Sequence, residues 1–136
     1  MADNYQGSCG CSKVHFVLDG EPHLIFNCHC TICRKANGSA FSTYAVFSRD
    51  DLRITEGASE VHAADLGTNG TKHFCRSCGT PLYGLHQNAV DTCLVILGAI
   101  DTGGALLPIA NVFCRSKLPW AFELGKLINH EVNLPG

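Results

Sequence analysis

The chemistry in this chain is concentrated in sulfur. Seven of its nine cysteines fall into three tight groups, Cys9-Gly10-Cys11, Cys28-His29-Cys30-Thr31-Ile32-Cys33 and Cys75-Arg76-Ser77-Cys78, while Cys93 and Cys114 stand alone. Cysteines this close cannot easily bridge one another, because a disulfide demands a particular Cα separation and Cβ direction. Thiolates at the same spacing suit zinc, which takes four soft ligands in a tetrahedron at ~2.3 Å. A pair of cysteines cannot fill that shell. The simplest partition gives Cys9, Cys11, Cys75 and Cys78 one closed, structural ion, and Cys28, Cys30 and Cys33 a second ion with one coordination position left over. The closed site would also tie distant parts of the chain together, stabilising the fold through loop closure and through metal binding itself.

The three-cysteine site is the one that could react. A sulfur-rich shell prefers soft sulfur donors, and a thiol that joins it loses its proton. The expected chemistry is therefore capture of a small-molecule thiol, presented as a nucleophile or released from a carbon–sulfur bond. Water activation is the lesser option, since three thiolates drain much of the ion's charge. The competing reading is a fourth protein ligand that closes the site: His29, His73 or Cys114. Strand alternation turns His29 away from a metal held by its neighbours; Cys114 would serve if the last strand crosses near the trio. Cys93 reads as core. Arg34, Lys35, Arg115 and Lys117 are candidates for pairing with substrate carboxylates, set against the plainer reading of solvated surface charge. Tyr83 and Trp120 either wall a pocket or fill the core. No carboxylate stands out as a general base.

These groups need short elements to place them. Lys13 to Leu18 reads as a strand closed by the turn Asp19-Gly20-Glu21-Pro22, and residues 1–8 as a polar lead-in with nothing to fix it. His23 to Cys28 is a second strand that delivers the central cluster at its end. Thr31 to Ala36 reads as a short helical turn, N-capped by Thr31 and stopped by Asn37-Gly38. Phe41 to Ser48 alternates as a strand. Shorter strands at Leu52 to Thr55 and Glu60 to Ala63 flank the Glu56-Gly57 turn. Cys75-Arg76-Ser77-Cys78-Gly79 has the form of a zinc knuckle, with Gly79 free to adopt a left-handed conformation. Pro81 to His86 and Thr92 to Ile100 supply two more strands, the second nearly continuous in apolar residues and read as central. Asn111 to Arg115 gives a last one. Short strands at close intervals with little helix predict a mainly β fold of several small antiparallel sheets with short helical turns.

At 136 residues the chain has the size of a single domain, 1–136. Its formal charge of −2 becomes more negative once thiols ionise around zinc, which argues against nucleic acid as a partner. The opening Met-Ala-Asp-Asn-Tyr-Gln-Gly-Ser has neither a basic n-region nor an apolar h-region, and no apolar run is long enough to span a bilayer. A cytoplasmic protein with reduced, metal-holding thiols is the expectation.

The patterns Gly7-Ser8-Cys9-Gly10-Cys11, Cys28-His29-Cys30-Thr31-Ile32-Cys33-Arg34-Lys35 and Phe74-Cys75-Arg76-Ser77-Cys78-Gly79-Thr80-Pro81-Leu82-Tyr83 resemble the family of glutathione-dependent formaldehyde-activating enzymes and centromere protein V. Arg115-Ser116-Lys117-Leu118-Pro119-Trp120 resembles that family's closing motif, so the likeness covers about residues 7–122. The resemblance implies an Mss4-like β-rich fold and a carbon–sulfur lyase. It implies two zinc ions per chain, a structural one on Cys9, Cys11, Cys75 and Cys78 and a catalytic one on Cys28, Cys30 and Cys33. It also implies glutathione or another small thiol as co-substrate, joined with an aldehyde such as formaldehyde into S-hydroxymethylglutathione. The rivals are a non-enzymatic zinc-stabilised binding module and a glutathione carrier without turnover.

Overall fold

The computed structural model describes residues 4–135. Its strands are β1 (Tyr5–Ser8), β2 (His15–Leu18), β3 (Leu24–Cys28), β4 (Ser42–Ser48), β5 (Leu52–Glu56), β6 (Val61–Asp65), β7 (Gly70–Cys75), β8 (Pro81–His86), β9 (Thr92–Ile96) and β10 (Ala110–Val112), with one helix, α1 (Thr31–Asn37), between β3 and β4. The mainly β expectation holds. The strands gather into two sheets, a three-stranded one ordered β1-β2-β5 and a seven-stranded one ordered β10-β3-β4-β9-β8-β7-β6. All neighbours are antiparallel except β10, which lies parallel to β3.

Alternation along the strands decides which residues meet. On one face of the large sheet, Ile25, Ala45, Phe47, Cys93 and Val95 are buried and pack in a common core with Val14, Phe16 and Leu18. Tyr5 of β1 adds an edge-on contact to Phe47, their ring centroids 6.0 Å apart. Cys93 is core, as its apolar surroundings in the sequence predict. The opposite face of the same sheet carries Leu24, Phe26 and Cys28 of β3, Tyr44 of β4 and Leu94 of β9, and it is this face that bears the central cysteine cluster.

Several boundaries differ from the sequence reading for identifiable reasons. Residues 5–8 are a strand, fixed by four pairs running from Tyr5↔Leu18 to Ser8↔His15; residues 1–3 lie outside the described residues. The strands flanking Glu56-Gly57 do not pair with each other. Gly57 takes a left-handed conformation, a 3-10 turn over Ala58–Glu60 follows, and β5 joins β2 while β6 joins β7. A Cβ on Gly57 would fall 2.0 Å from the Lys13 carbonyl oxygen, so only glycine permits this switch between sheets. β9 is central, as expected, but it ends at Ile96 in a 3-10 turn over Leu97–Ala99. The last strand is Ala110–Val112, and Cys114–Ser116 forms a 3-10 turn instead of continuing it. The helix is capped by Cys30 rather than Thr31, while Gly38 ends it in a left-handed conformation as anticipated.

Candidate functional site

Two sets of sulfur atoms converge. Cys9, Cys11, Cys75 and Cys78 bring four sulfurs within 4.8 Å of one another, and Cys28, Cys30 and Cys33 bring three. All nine cysteines are free thiols. In the first set, Cys9 and Cys11 sulfurs lie 3.6 Å apart and Cys11 and Cys75 sulfurs 3.8 Å apart. Four ligands at ~2.3 Å in a tetrahedron sit ~3.8 Å from each other, so the donor set fits zinc as it stands. The hairpin-like entry to β2 supplies one pair. The knuckle after β7, where Gly79 is left-handed and its N–H bonds the Cys75 carbonyl oxygen at 2.7 Å, supplies the other. Donors converge on these sulfurs: Val14 N–H on Cys9 Sγ at 3.3 Å, and Thr80 Oγ1 3.2 Å from Cys78 Sγ. The Thr80 hydroxyl and backbone pull the Cys78 thiol down to about 5. Cys9 and Cys75 are buried, Cys11 and Cys78 exposed.

The trio sits at the end of β3 and the start of α1. Cys28 is buried, and Cys30 Sγ accepts the Cys33 N–H at 3.2 Å, so one ligand candidate also caps the helix that carries another. The sulfurs perturb each other: Cys28 is lowered by its hydrogen bond from Cys33, and Cys33 is raised, first by Cys28 and then by burial. Three sulfurs this close cannot all ionise without a cation among them. That is the chemistry of a metal site.

Sequence reasoning missed the groups that steady the trio. Tyr44 Oη donates to Cys33 Sγ at 3.2 Å and itself accepts from Asn37 Nδ2 at 3.2 Å. Ser42 Oγ donates to the Cys33 carbonyl oxygen at 3.1 Å. The signal available was the alternation Ser42, Tyr44 along β4, the strand that pairs with β3. His29 is buried away from the trio, its Nε2 3.0 Å from Asn111 Oδ1 and its ring packed between Phe41 and Phe122. Neither His73 nor Cys114 joins the trio. His73 stacks on Tyr83 at 4.5 Å, and the exposed Cys114 thiol donates to the Asn111 carbonyl oxygen at 3.5 Å.

The trio opens on a cavity of about 650 Å³ on the exposed face of the large sheet, whose walls include Tyr44, Leu94 and Val112. The cations singled out in the sequence do not reach it. Arg34 and Lys35 line a separate cleft with Trp120, and Lys117 Nζ lies 5.1 Å from the Phe122 ring centre. No helix among the described residues is long and apolar enough to cross a membrane.

Comparison with known proteins agrees with this architecture. The profile of the family described as glutathione-dependent formaldehyde-activating enzyme matches residues 4–116. A Halomonas elongata protein provisionally named for that activity is 31% identical over 84 residues, which are 57% of this chain and 54% of that protein. A Fusarium vanettenii protein with the same provisional name is 30% identical over 76 residues, 56% of this chain and 41% of its own. The chain thus spans about half, or less, of the curated relatives it matches. A crystal structure of a Rhodobacter sphaeroides protein superposes with a TM-score of 0.61 at 22% identity, covering 78% of this chain and 98% of that one, and shares the fold. With both cysteine sets assembled on that fold, the chain belongs to the glutathione-dependent formaldehyde-activating enzyme family.

Proposed function

We propose that this chain is a carbon–sulfur lyase, acting at Cys28, Cys30 and Cys33 on the adduct of a small thiol with an aldehyde, the family-level example being S-hydroxymethylglutathione. The observation that carries the reading is the unequal division of donors. Four sulfurs close one set, while the second has three, joined by no fourth Cys, His, Asp or Glu among the described residues, and faces a cavity. A zinc ion held by the trio would supply a Lewis-acidic centre with one position left for an external sulfur. Zinc at Cys9, Cys11, Cys75 and Cys78 would be structural.

The chain's own residues hold that arrangement. Cys28 is anchored in β3, Cys30 and Cys33 are set by the cap of α1, and Tyr44 Oη bonds Cys33 Sγ, spreading the ligand's charge. In the synthetic direction a C–S bond forms between the thiol sulfur and the carbonyl carbon. The carbonyl π pair moves to oxygen, which takes up the proton the thiol gave up; lysis runs the same exchange backwards. No carboxylate lines the cavity among the described residues, so proton traffic falls to water and to the hydroxyl or imidazole groups of Tyr44, Thr68, Thr71 and His86.

Cobalt substitution followed by thiol titration tests the proposal. A changed sulfur-to-cobalt charge-transfer band at one of two sites, together with thiol-dependent aldehyde consumption, supports it. An unchanged band points to two closed structural metals, and a changed band without turnover to a thiol carrier.

A further inference from the structure

The cavity beside the trio has a chemical character that its family description does not predict. Its walls come from six strands: Leu24 and Phe26 of β3, Tyr44 of β4 and Leu94 of β9 face it together with Gly84 and His86 of β8 and residues of β7 and β10. The pairings Phe26↔Tyr44, Val112↔Cys28 and Gly84↔Leu94 hold these side chains in register on one sheet face. Not one Lys, Arg, Asp or Glu lines it among the described residues. Lys72, which lines an adjoining pocket, donates its Nζ to the Ala36 carbonyl oxygen and lies over the Phe74 ring. Glutathione carries two carboxylates and an ammonium group. Against these walls a carboxylate meets only the His86 imidazole and the hydroxyls of Tyr44, Thr68 and Thr71, with no lysine or arginine to pair with, costing at least ~10-fold in affinity.

A second observation points the same way. Phe113 follows β10 with φ 55°, a left-handed conformation that a bulky side chain adopts only under strain, and it lines the cavity while remaining 55% exposed. A glycine or asparagine would sit there at lower cost. The strained aromatic ring gives the cavity one more apolar wall, the kind of local cost that binding sites retain.

We infer that the sulfur partner of this site is an uncharged thiol bearing an apolar alkyl or aryl group, with glutathione disfavoured. This rests on the trio's acting as an open metal site. The thiol carbon skeleton lies against Leu94, Val112 and Phe113 while its sulfur reaches Cys28, Cys30 and Cys33.

The test uses the cobalt-loaded full chain, titrated with phenylmethanethiol and with glutathione, and the zinc-loaded chain titrated with benzyl alcohol, whose lack of sulfur makes methyl NMR report the cavity alone. Expected are at least ~10-fold tighter binding of phenylmethanethiol than of glutathione, and benzyl alcohol shifts on the Leu94 and Val112 methyls. Phe113→Gly should weaken phenylmethanethiol roughly fivefold while raising the melting temperature, a combination that a purely structural Phe113 would not give. Glutathione binding as tightly as phenylmethanethiol overturns the inference and leaves the lyase proposal standing. If neither thiol alters the cobalt spectrum, the lyase proposal falls and takes the inference with it, whatever benzyl alcohol does.

Discussion

Cys30 has two jobs that a pair of substitutions can separate. Its sulfur belongs to the trio, and the same sulfur accepts the Cys33 N–H at the start of α1. Serine is among the best N-cap residues but a poor match for a thiolate zinc shell, so Cys30→Ser should lose the second metal and keep the cap. Cys30→Ala loses both. The difference between the two variants isolates the cap, worth ~1 kcal/mol, or ~3–5 °C in melting temperature for a chain of this size. Zinc content by mass spectrometry and thermal melts by circular dichroism read the two effects independently. Both variants should bind one zinc fewer than the wild type. Cys30→Ser should melt above Cys30→Ala by that margin. Global unfolding of Cys30→Ser would refute a separable second metal; equal melting of the two variants would refute the capping role.

The other set should behave differently. Cys75 is fully buried and joins the hairpin of β7 and β8 to the entry of β2, so Cys75→Ser should abolish cooperative melting: structural zinc contributes ~10–16 kcal/mol against a total stability of ~5–15. Tyr44→Phe keeps the ring but removes the hydroxyl on Cys33, and should weaken second-site zinc ~10–100-fold in a chelator competition with little change in fold. Gly7→Ala would put a Cβ 2.1 Å from Phe16 Cζ and 2.5 Å from the Ala99 carbonyl oxygen; a loss of ~1–3 kcal/mol in urea denaturation is expected.

Cysteine spacing made both sulfur sets legible, because ligand geometry is a local property and one set of four and one of three account for all seven clustered thiols. The strands that alternate strongly, such as Ser42–Ser48, were legible for the same local reason. What stayed hidden was long-range. Tyr5–Ser8 is polar by composition and becomes a strand only because β2 offers it a partner. Tyr44 meets Cys33 through the antiparallel register of β3 and β4, and Cys30 rather than Thr31 caps α1 because its sulfur turns back to Cys33 N–H. The absence of cations from the cavity could not be read at all, since Arg34 and Lys35 are neighbours of the trio in sequence yet line another cleft.

The parallel seat of β10 against β3 sets a timetable. A ribosome delivers residues 24–33 long before it delivers Val112 and Phe113, so a nascent chain can gather the three thiols while one side of their chamber has yet to be made. Metal loading can therefore precede the moment at which the chamber acquires its final wall, and a product cut short after residue 108 should hold zinc yet lose its grip on an apolar guest.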